Sequence, residues 1–367
     1  MGQCGLQFPL MSRYLRKSIA AVEGYLPGEQ PRDGDTIKLN TNENPYPPSP
    51  RVLSAVRKAA ERSLRLYPEP LSDSLRSSAA ATYGVRPENV LAGNGSDELL
   101  SILVRCFVGH GDRVVYPVPT YSLYDTLIAI QGGEGVGIDY LPDFALPESL
   151  FSQQAALTFL CNPNSPSGTL VSRHEIERLA KSVSGLLVVD EAYIDFTEGD
   201  GVSSIALIQN FSNLVVLRSF SKSFSLAGMR VGLAFASEEI VADMVKVKDS
   251  YNLNRLSHVA AVAALGDLPW MERNVRRIQR SRKALTRGLK KMGFQVYPSQ
   301  ANFVMARRKG QNLKGLYEEL KRRRILVRYF DMPGLQDSIR ITVGTADEIE
   351  VLLRDLEAIL SGKGVEA

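Results

Sequence analysis

Cysteine and histidine are scarce in this chain, with three of each among 367 residues. Cys4, Cys106 and Cys161 are odd in number and lack C-x-x-C spacing. That argues against a disulfide framework or a zinc site and fits a reducing cytoplasm. His110, His174 and His258 are scattered, so no metal centre is expected. No apolar run reaches the ~20 residues that a membrane helix needs, and the N-terminus lacks the basic-then-apolar order of a secretion signal. Met11 is an alternative start to Met1. Charge of neither sign dominates. A net charge of +4 with 23% charged residues, and no basic stripe interleaved with aromatics, gives no reason to expect nucleic acid. The densest run, Lys321-Arg322-Arg323-Arg324, reads as the solvated end of a helix. Internal repeats and low-complexity tracts are also missing. What is present, 44% hydrophobic residues over this length, suits a large globular domain with a smaller one.

Residues 1–50 are turn-rich and end in the proline-dense stretch Asn44 to Pro50, which favours extended structure. A helix is expected over 51–66 from the spacing of Val52, Leu53, Val56, Ala59 and Ala60. From about 72 to 260, helical segments alternate with short apolar runs at 90–92, 113–116, 157–160, 186–190, 214–218 and 231–235. Such runs read as strands buried on both faces, which implies a mostly parallel sheet in a three-layer α/β/α domain. A long basic amphipathic helix is expected over 267–292. Strands at 294–297, 302–306, 325–329 and 338–343 and helices at 313–321 and 346–360 make a smaller α+β unit. The expected division is an arm over 1–50 that packs with the small unit, a large domain over 51–265 and a small domain over 266–367.

The chemistry gathers where predicted strands end. Lys222 lies in Ser219-Phe220-Ser221-Lys222-Ser223, with Arg230 eight residues on. Two hydroxyls (Ser219, Ser221) and a guanidinium beside a lysine suit a phosphate monoester, and a desolvated lysine becomes a nucleophile and proton shuttle. Asp190 closes an apolar strand and could pair with a pyridinium, with Tyr193 in reach of a ring oxygen. Gly93-Asn94-Gly95-Ser96-Asp97 follows a strand and opens a helix, where free N–H groups hold anions; a plain turn capped by Ser96 or Asp97 is the rival reading. Tyr121 could stack on a ring, and Asn162 to Gly168 is a rigid turn able to present an amide. Open α/β sheets bind ligands beyond the carboxyl ends of their strands. An imine-forming lysine, a buried carboxylate and phosphate donors together are the requirements of pyridoxal 5'-phosphate.

In their order along the chain, these pieces resemble the fold-type I, class I/II pyridoxal-phosphate aminotransferases, and within them the histidinol-phosphate aminotransferase branch. The likeness runs from about Tyr25 to Leu360. It is carried by Leu39-Asn40-Thr41-Asn42-Glu43-Asn44-Pro45, Tyr67-Pro68-Glu69, Gly95 to Glu98, Pro119-Thr120-Tyr121, Asp190 to Tyr193, the Lys222 segment, Ala301-Asn302-Phe303 and Arg340 to Gly344. The resemblance implies an aspartate aminotransferase-like fold in which Lys222 is the Schiff-base lysine and proton shuttle. It implies that Asp190 pairs with the ring nitrogen, that Tyr193 holds the ring oxygen and that Tyr121 stacks on the ring. Gly95, Ser96, Asp97, Ser219, Ser221 and Arg230 would hold the phosphate. Tyr67 would reach the cofactor of a second subunit, making a homodimer with shared sites. Tyr25, Asn302, Arg328 and Arg340 would bind substrate. The family often has two asparagines before Pro-Thr-Gly; here Asn164-Ser165 precedes Pro166-Ser167-Gly168, so the ring-oxygen contact falls to Asn164 or to the Ser165 hydroxyl. The implied reaction is ping-pong transamination between histidinol phosphate (or imidazole acetol phosphate) and glutamate or 2-oxoglutarate. An aromatic or broad-range aminotransferase, or a threonine-phosphate decarboxylase, would keep Lys222 and Asp190. A cofactor-binding protein without turnover is the reading from a different class.

Overall fold

The structure is a computed structural model and describes residues 12–20, 22, 24, 28–31, 34–199 and 202–362. Tyr25 and Cys4 lie outside the described residues. Thirteen strands follow one another among the described residues: β1 Ile37–Lys38, β2 Val90–Gly93, β3 Arg113–Val118, β4 Glu134–Asp139, β5 Leu157–Cys161, β6 Leu186–Asp190, β7 Leu214–Ser219, β8 Gly232–Phe235, β9 Gln295–Val296, β10 Phe303–Arg307, β11 Ile325–Leu326, β12 Arg328–Tyr329 and β13 Ser338–Thr342. Seven form one sheet in the order β2-β8-β7-β6-β5-β3-β4. All its pairings are parallel except the two that β8 makes.

The apolar runs read as strands form this sheet because helices cover both its faces. Successive residues separate into two cores: Leu187, Val189, Leu214 and Val216 pack on one side, and Val188, Val215 and Leu217 on the other. That alternation is the period-2 geometry of a pleated strand. β4 is a strand that the sequence did not announce. It lies at the sheet edge, is mostly exposed, and carries Gly135 and Gly137. Its main-chain pairing to β3 holds it in place, so no apolar run marks it.

A second sheet, β12-β13-β10-β9, is antiparallel, and β1 pairs with β11 in a two-stranded ribbon. The single strand expected over 325–329 is therefore two. Ile325–Leu326 pairs with the N-terminal arm and Arg328–Tyr329 with β13, and the chain changes sheets at buried Val327. The helix Leu268–Lys291 buries Val275, Ile278, Leu285 and Leu289 along one stripe. These meet Phe303, Ile339 and Ile341 of the smaller sheet, as helical spacing requires. The same core takes in Tyr193 and Phe196, from the loop after β6.

Candidate active site

A cavity opens where β5, β6 and β7 end, and its other wall comes from the arm around Asn40 and from β12 and β13. The register sets Cys161 beside Asp190 and Asp190 beside Leu217, so these strands finish level with one another. Asp190 is buried. It accepts hydrogen bonds from the Ala192 N–H (3.1 Å) and the Tyr124 hydroxyl (3.3 Å). Burial pushes its carboxyl up to about 6, helped by the charges of Asp97 and Glu191 and opposed by these two hydrogen bonds. A buried carboxylate close to other acids favours binding a cation.

Lys222 faces the same space from the loop after β7. Its Nζ donates to the Thr41 carbonyl (3.3 Å) and sits 5.6 Å from the centre of the Tyr193 ring. Burial, reinforced by the Arg340 charge, pulls its ammonium down to about 8, against the opposing pull of Glu43 and Asp97. An amine near 8 is neutral often enough at physiological pH to accept a proton. The Tyr193 hydroxyl accepts from Asn42 Nδ2 (3.1 Å), and burial raises its phenol to about 12. Asn42 is itself fixed by Thr342 and by Asn302, whose Nδ2 donates to the Asn42 carbonyl (3.0 Å).

An anion cradle lies beside these groups. The helix Ser96–Phe107 starts at Gly95, which has a positive φ of 82° and no side chain to cap the first N–H groups. Arg230 crosses directly over Gly95; a Cβ there would lie 2.5 Å from Arg230 Nη2. At Gly232 a Cβ would meet the Ser96 nitrogen at 2.5 Å. Glycine is therefore required at both positions for the backbone to close around the cradle. Arg230 bonds Asp97 (2.9 Å) and the Ser221 hydroxyl (3.3 Å). Tyr121 donates to the other oxygen of Asp97 (3.1 Å). Free helix N–H groups with a guanidinium and hydroxyls suit a phosphate.

On the opposite wall, Arg328 and Arg340 face each other in register across β12 and β13, and both line the cavity. Arg340 donates to the Ser165 hydroxyl (3.0 Å) and the Asn40 carbonyl (3.1 Å). Like charges directly opposite on a sheet are destabilising. A bound anion could interact with both guanidiniums at once.

The family profile described as "Aminotransferase class I and II" matches residues 34–356. The chain belongs to this aminotransferase family. A protein named histidinol-phosphate aminotransferase from Citrifermentans bemidjiense is 45% identical over 354 residues, covering 95% of this chain and 99% of the relative. Histidinol-phosphate aminotransferase 1 of Trichormus variabilis is 42% identical over 352 residues, covering 95% of this chain and all of the relative. A crystal structure of histidinol-phosphate aminotransferase from Sinorhizobium meliloti in complex with pyridoxal-5'-phosphate superposes with a TM-score of 0.87. It has 25% identity and covers 96% of this chain and 99% of that one. The cofactor of this aminotransferase is pyridoxal 5'-phosphate. The site fits that group, with a cation-seeking carboxylate, a depressed lysine and an uncapped helix end around one cavity.

Ser96, Asp97, Tyr121, Asp190, Tyr193, Ser219, Ser221, Lys222, Arg230, Arg328 and Arg340 all line this cavity. Gly95 is at its edge beneath Arg230. Three of the expected residues lie off this cavity's wall. Asn164 is behind the wall: its carbonyl accepts from Thr120 (3.0 Å), and its amide donates to the Pro119 carbonyl (3.2 Å) and Ser167 (2.9 Å). Ser165, not Asn164, lines the cavity. Asn302 is buried and reaches the cavity only through Asn42. Tyr67 is 77% exposed and stacks on Tyr251 at 4.5 Å, away from this chain's own cavity.

Sequence reasoning gave no role to Asn42, Asn44 or Tyr124. The first two were visible only as parts of the 39–45 motif. Asn44 Nδ2 donates to the main-chain carbonyls of Lys222 and Ser223. Asn42 meets a tyrosine 151 positions away. No local pattern encodes contacts at that range. Tyr124 is a fully buried core aromatic whose hydroxyl reaches Asp190.

Proposed function

We propose that this aminotransferase exchanges an amino group between histidinol phosphate and 2-oxoglutarate. The observation that carries the reading is the Arg328–Arg340 pair, two guanidiniums in register on the cavity wall opposite Lys222. A phosphorylated alcohol and a side-chain carboxylate are both anions that such a pair can bind through forked hydrogen bonds. Its relatives' names supply the substrate.

When bound, pyridoxal phosphate supplies a reactive aldehyde carbon and an electron-withdrawing ring. Asp190 keeps a positive charge at the ring nitrogen. Ser96, Ser219, Ser221 and Arg230, with the main-chain N–H groups at Gly95 to Asp97, would hold the phosphate, and Tyr121 would cover the ring. Lys222, neutral in part because it is buried, takes the proton from the substrate Cα and returns one. Tyr193, oriented by Asn42, holds the ring oxygen, and the Ser165 hydroxyl lies on the same wall. Tyr25 joins the substrate side in this reading. The arm over 1–50 works with the small domain over 266–367 and the large domain over 51–265 carries the cofactor; β1 pairing with β11 supports that division.

Steady-state glutamate formation from 2-oxoglutarate tests the substrate. Histidinol phosphate is expected to outpace phenylalanine, and O-phosphothreonine is expected to release no carbon dioxide. Arg340→Gln should raise the KM for histidinol phosphate by roughly 10- to 100-fold, since a charge-assisted hydrogen bond contributes about 1.5–3 kcal/mol. Faster turnover of phenylalanine would reject the substrate and keep the family.

The same reading makes the enzyme a homodimer with shared sites. Leu64, Leu66, Tyr67 and Leu71 with Tyr251 form an exposed apolar stretch around the tyrosine that would enter the neighbouring site. Exposed patches of this kind mark interaction surfaces. Mixing Lys222→Ala and Tyr67→Phe proteins should restore activity above either alone, because one site in each hybrid has both residues intact. Mixtures no more active than their parts would reject the shared site. A cytoplasmic location suits Cys106 and Cys161, which are free thiols.

A further inference from the structure

Asp190 and Lys222 come from different strand ends, yet the residue following each is tied to one buried guanidinium. Arg218 is the penultimate residue of β7, and its side chain is 7% exposed. Its Nη1 lies 3.6 Å from Oε2 of Glu191, the residue after Asp190. Its Nη2 is ion-paired with Asp195. Asp195 in turn accepts a 2.5 Å hydrogen bond from the hydroxyl of Ser223, the residue after Lys222. The Tyr83 ring covers the guanidinium at 5.0 Å. Glu191 also accepts from the Ser203 hydroxyl (2.6 Å) and the Ser204 N–H (2.5 Å).

Arg218, Glu191, Asp195 and Ser223 all stay off the cavity wall. Stability explains such a cluster poorly, because well-packed apolar residues often replace buried ion pairs at no cost. The cluster does give the Lys222 loop a fixed point. Residues 220–226 form neither helix nor strand. Asn44 holds the carbonyls of Lys222 and Ser223 at 3.0 and 3.2 Å, and the Ser223 hydroxyl ties the same dipeptide to Asp195.

We propose that Arg218, with Glu191 and Asp195, is a positioning centre that sets Lys222 relative to Asp190, acting on Lys222 through the Ser223 hydroxyl. The inference rests on the reading of Lys222 as the residue that moves the proton. A shift of about 1 Å in a reacting group can lower a rate by about 100-fold. The residues concerned touch no substrate, so the effect belongs in kcat and not in KM.

The test compares Ser223→Ala and Ser223→Thr with the wild type as holoenzymes. The alanine variant is expected to lose roughly 10- to 100-fold in kcat with KM for the amino donor within about twofold. Threonine, which keeps the hydroxyl, should recover part of that loss. A second readout needs no turnover: the pH dependence of Lys222 carbamylation by cyanate in the full-length cofactor-free chain, followed by peptide mass spectrometry. Arg340, Glu43, Asp97 and Arg230 act on Lys222, and the substitution leaves them in place. A loosened Lys222 reaches water, so the midpoint should rise from about 8 toward the ordinary 10.5. A purely structural serine would lower the melting temperature and leave both kcat and this midpoint at their wild-type values, and that result would overturn the proposal. A wild-type enzyme inactive with every donor would reject the proposed function, and the carbamylation midpoint would still decide this inference.

Discussion

Lys222→Ala is expected to lower turnover by roughly 10⁴-fold, the combined loss of a nucleophile and a proton shuttle. Lys222→Arg is expected to be no better. The guanidinium keeps the positive charge but does not give up its proton near neutral pH. The pair of variants therefore separates two roles for the same position. If the lysine served only as a charge between Glu43, Asp97 and the arginines, arginine would substitute for it. If it moves a proton, arginine fails. The depressed value of about 8 favours the second role, because burial has already shifted the group toward its neutral form. The measurement is kcat with glutamate or histidinol phosphate as donor, with circular dichroism to show that each variant is folded. Activity of Lys222→Arg within tenfold of the wild type would sink the proton-transfer role.

Asp190→Asn should have opposite effects with and without cofactor. In the holoenzyme it removes the partner of a buried positive charge, a change that typically costs about 3–5 kcal/mol. A loss of roughly 150- to 5000-fold in kcat/KM follows, with weaker cofactor retention. In the cofactor-free chain the substitution should stabilise. Burial raises the Asp190 carboxyl from 3.8 to about 6, so folding disfavours its charged form by on the order of 3 kcal/mol. For a carboxyl raised in this way, the folded protein loses stability as pH rises from about 4 to about 6, and the penalty stays constant above that. Asparagine carries no such penalty and can still accept the Ala192 N–H. Cofactor-free Asp190→Asn should therefore melt higher than cofactor-free wild type at pH 8, and the gap should close by pH 4. A variant that melts lower at pH 8 without cofactor would show that the carboxylate is not waiting for a cation.

These two positions were legible in the sequence because each stands where an apolar run stops. Val188-Val189-Asp190 and Val216-Leu217-Arg218-Ser219 are strands that end in polar groups, and an open α/β sheet puts such ends on one edge. The glycines around Ser96 were legible for a similar reason, since a strand, a turn and a helix start follow one another within a few residues. Sequence alone left the ring-oxygen contact between Asn164 and Ser165, because an amide and a hydroxyl suit it equally well. Only the packing of Pro119 and Thr120 against Asn164 uses up its amide. The split of 325–329 into two strands was hidden because its residues all suit a strand, and their partners, at 37–38 and 339–340, are remote.

Residue order over short stretches was enough for the sheet's buried strands, the carboxyl-end placement of Asp190 and Lys222, the glycine turn that opens the helix at Ser96 and the family. Each of these follows from residue order over a few positions, where period, strand ends and glycine act locally. The tertiary structure alone decided which groups surround them. It set Arg328 opposite Arg340, turned Asn164 away and Ser165 inward, and brought Asn42 and Asn44 across from the arm. It also joined Glu191, Arg218, Asp195 and Ser223 into one buried set. Those contacts depend on the docking of separate strand ends and loops, and burial, which sets the charge state of Asp190 and Lys222, exists only once they are docked.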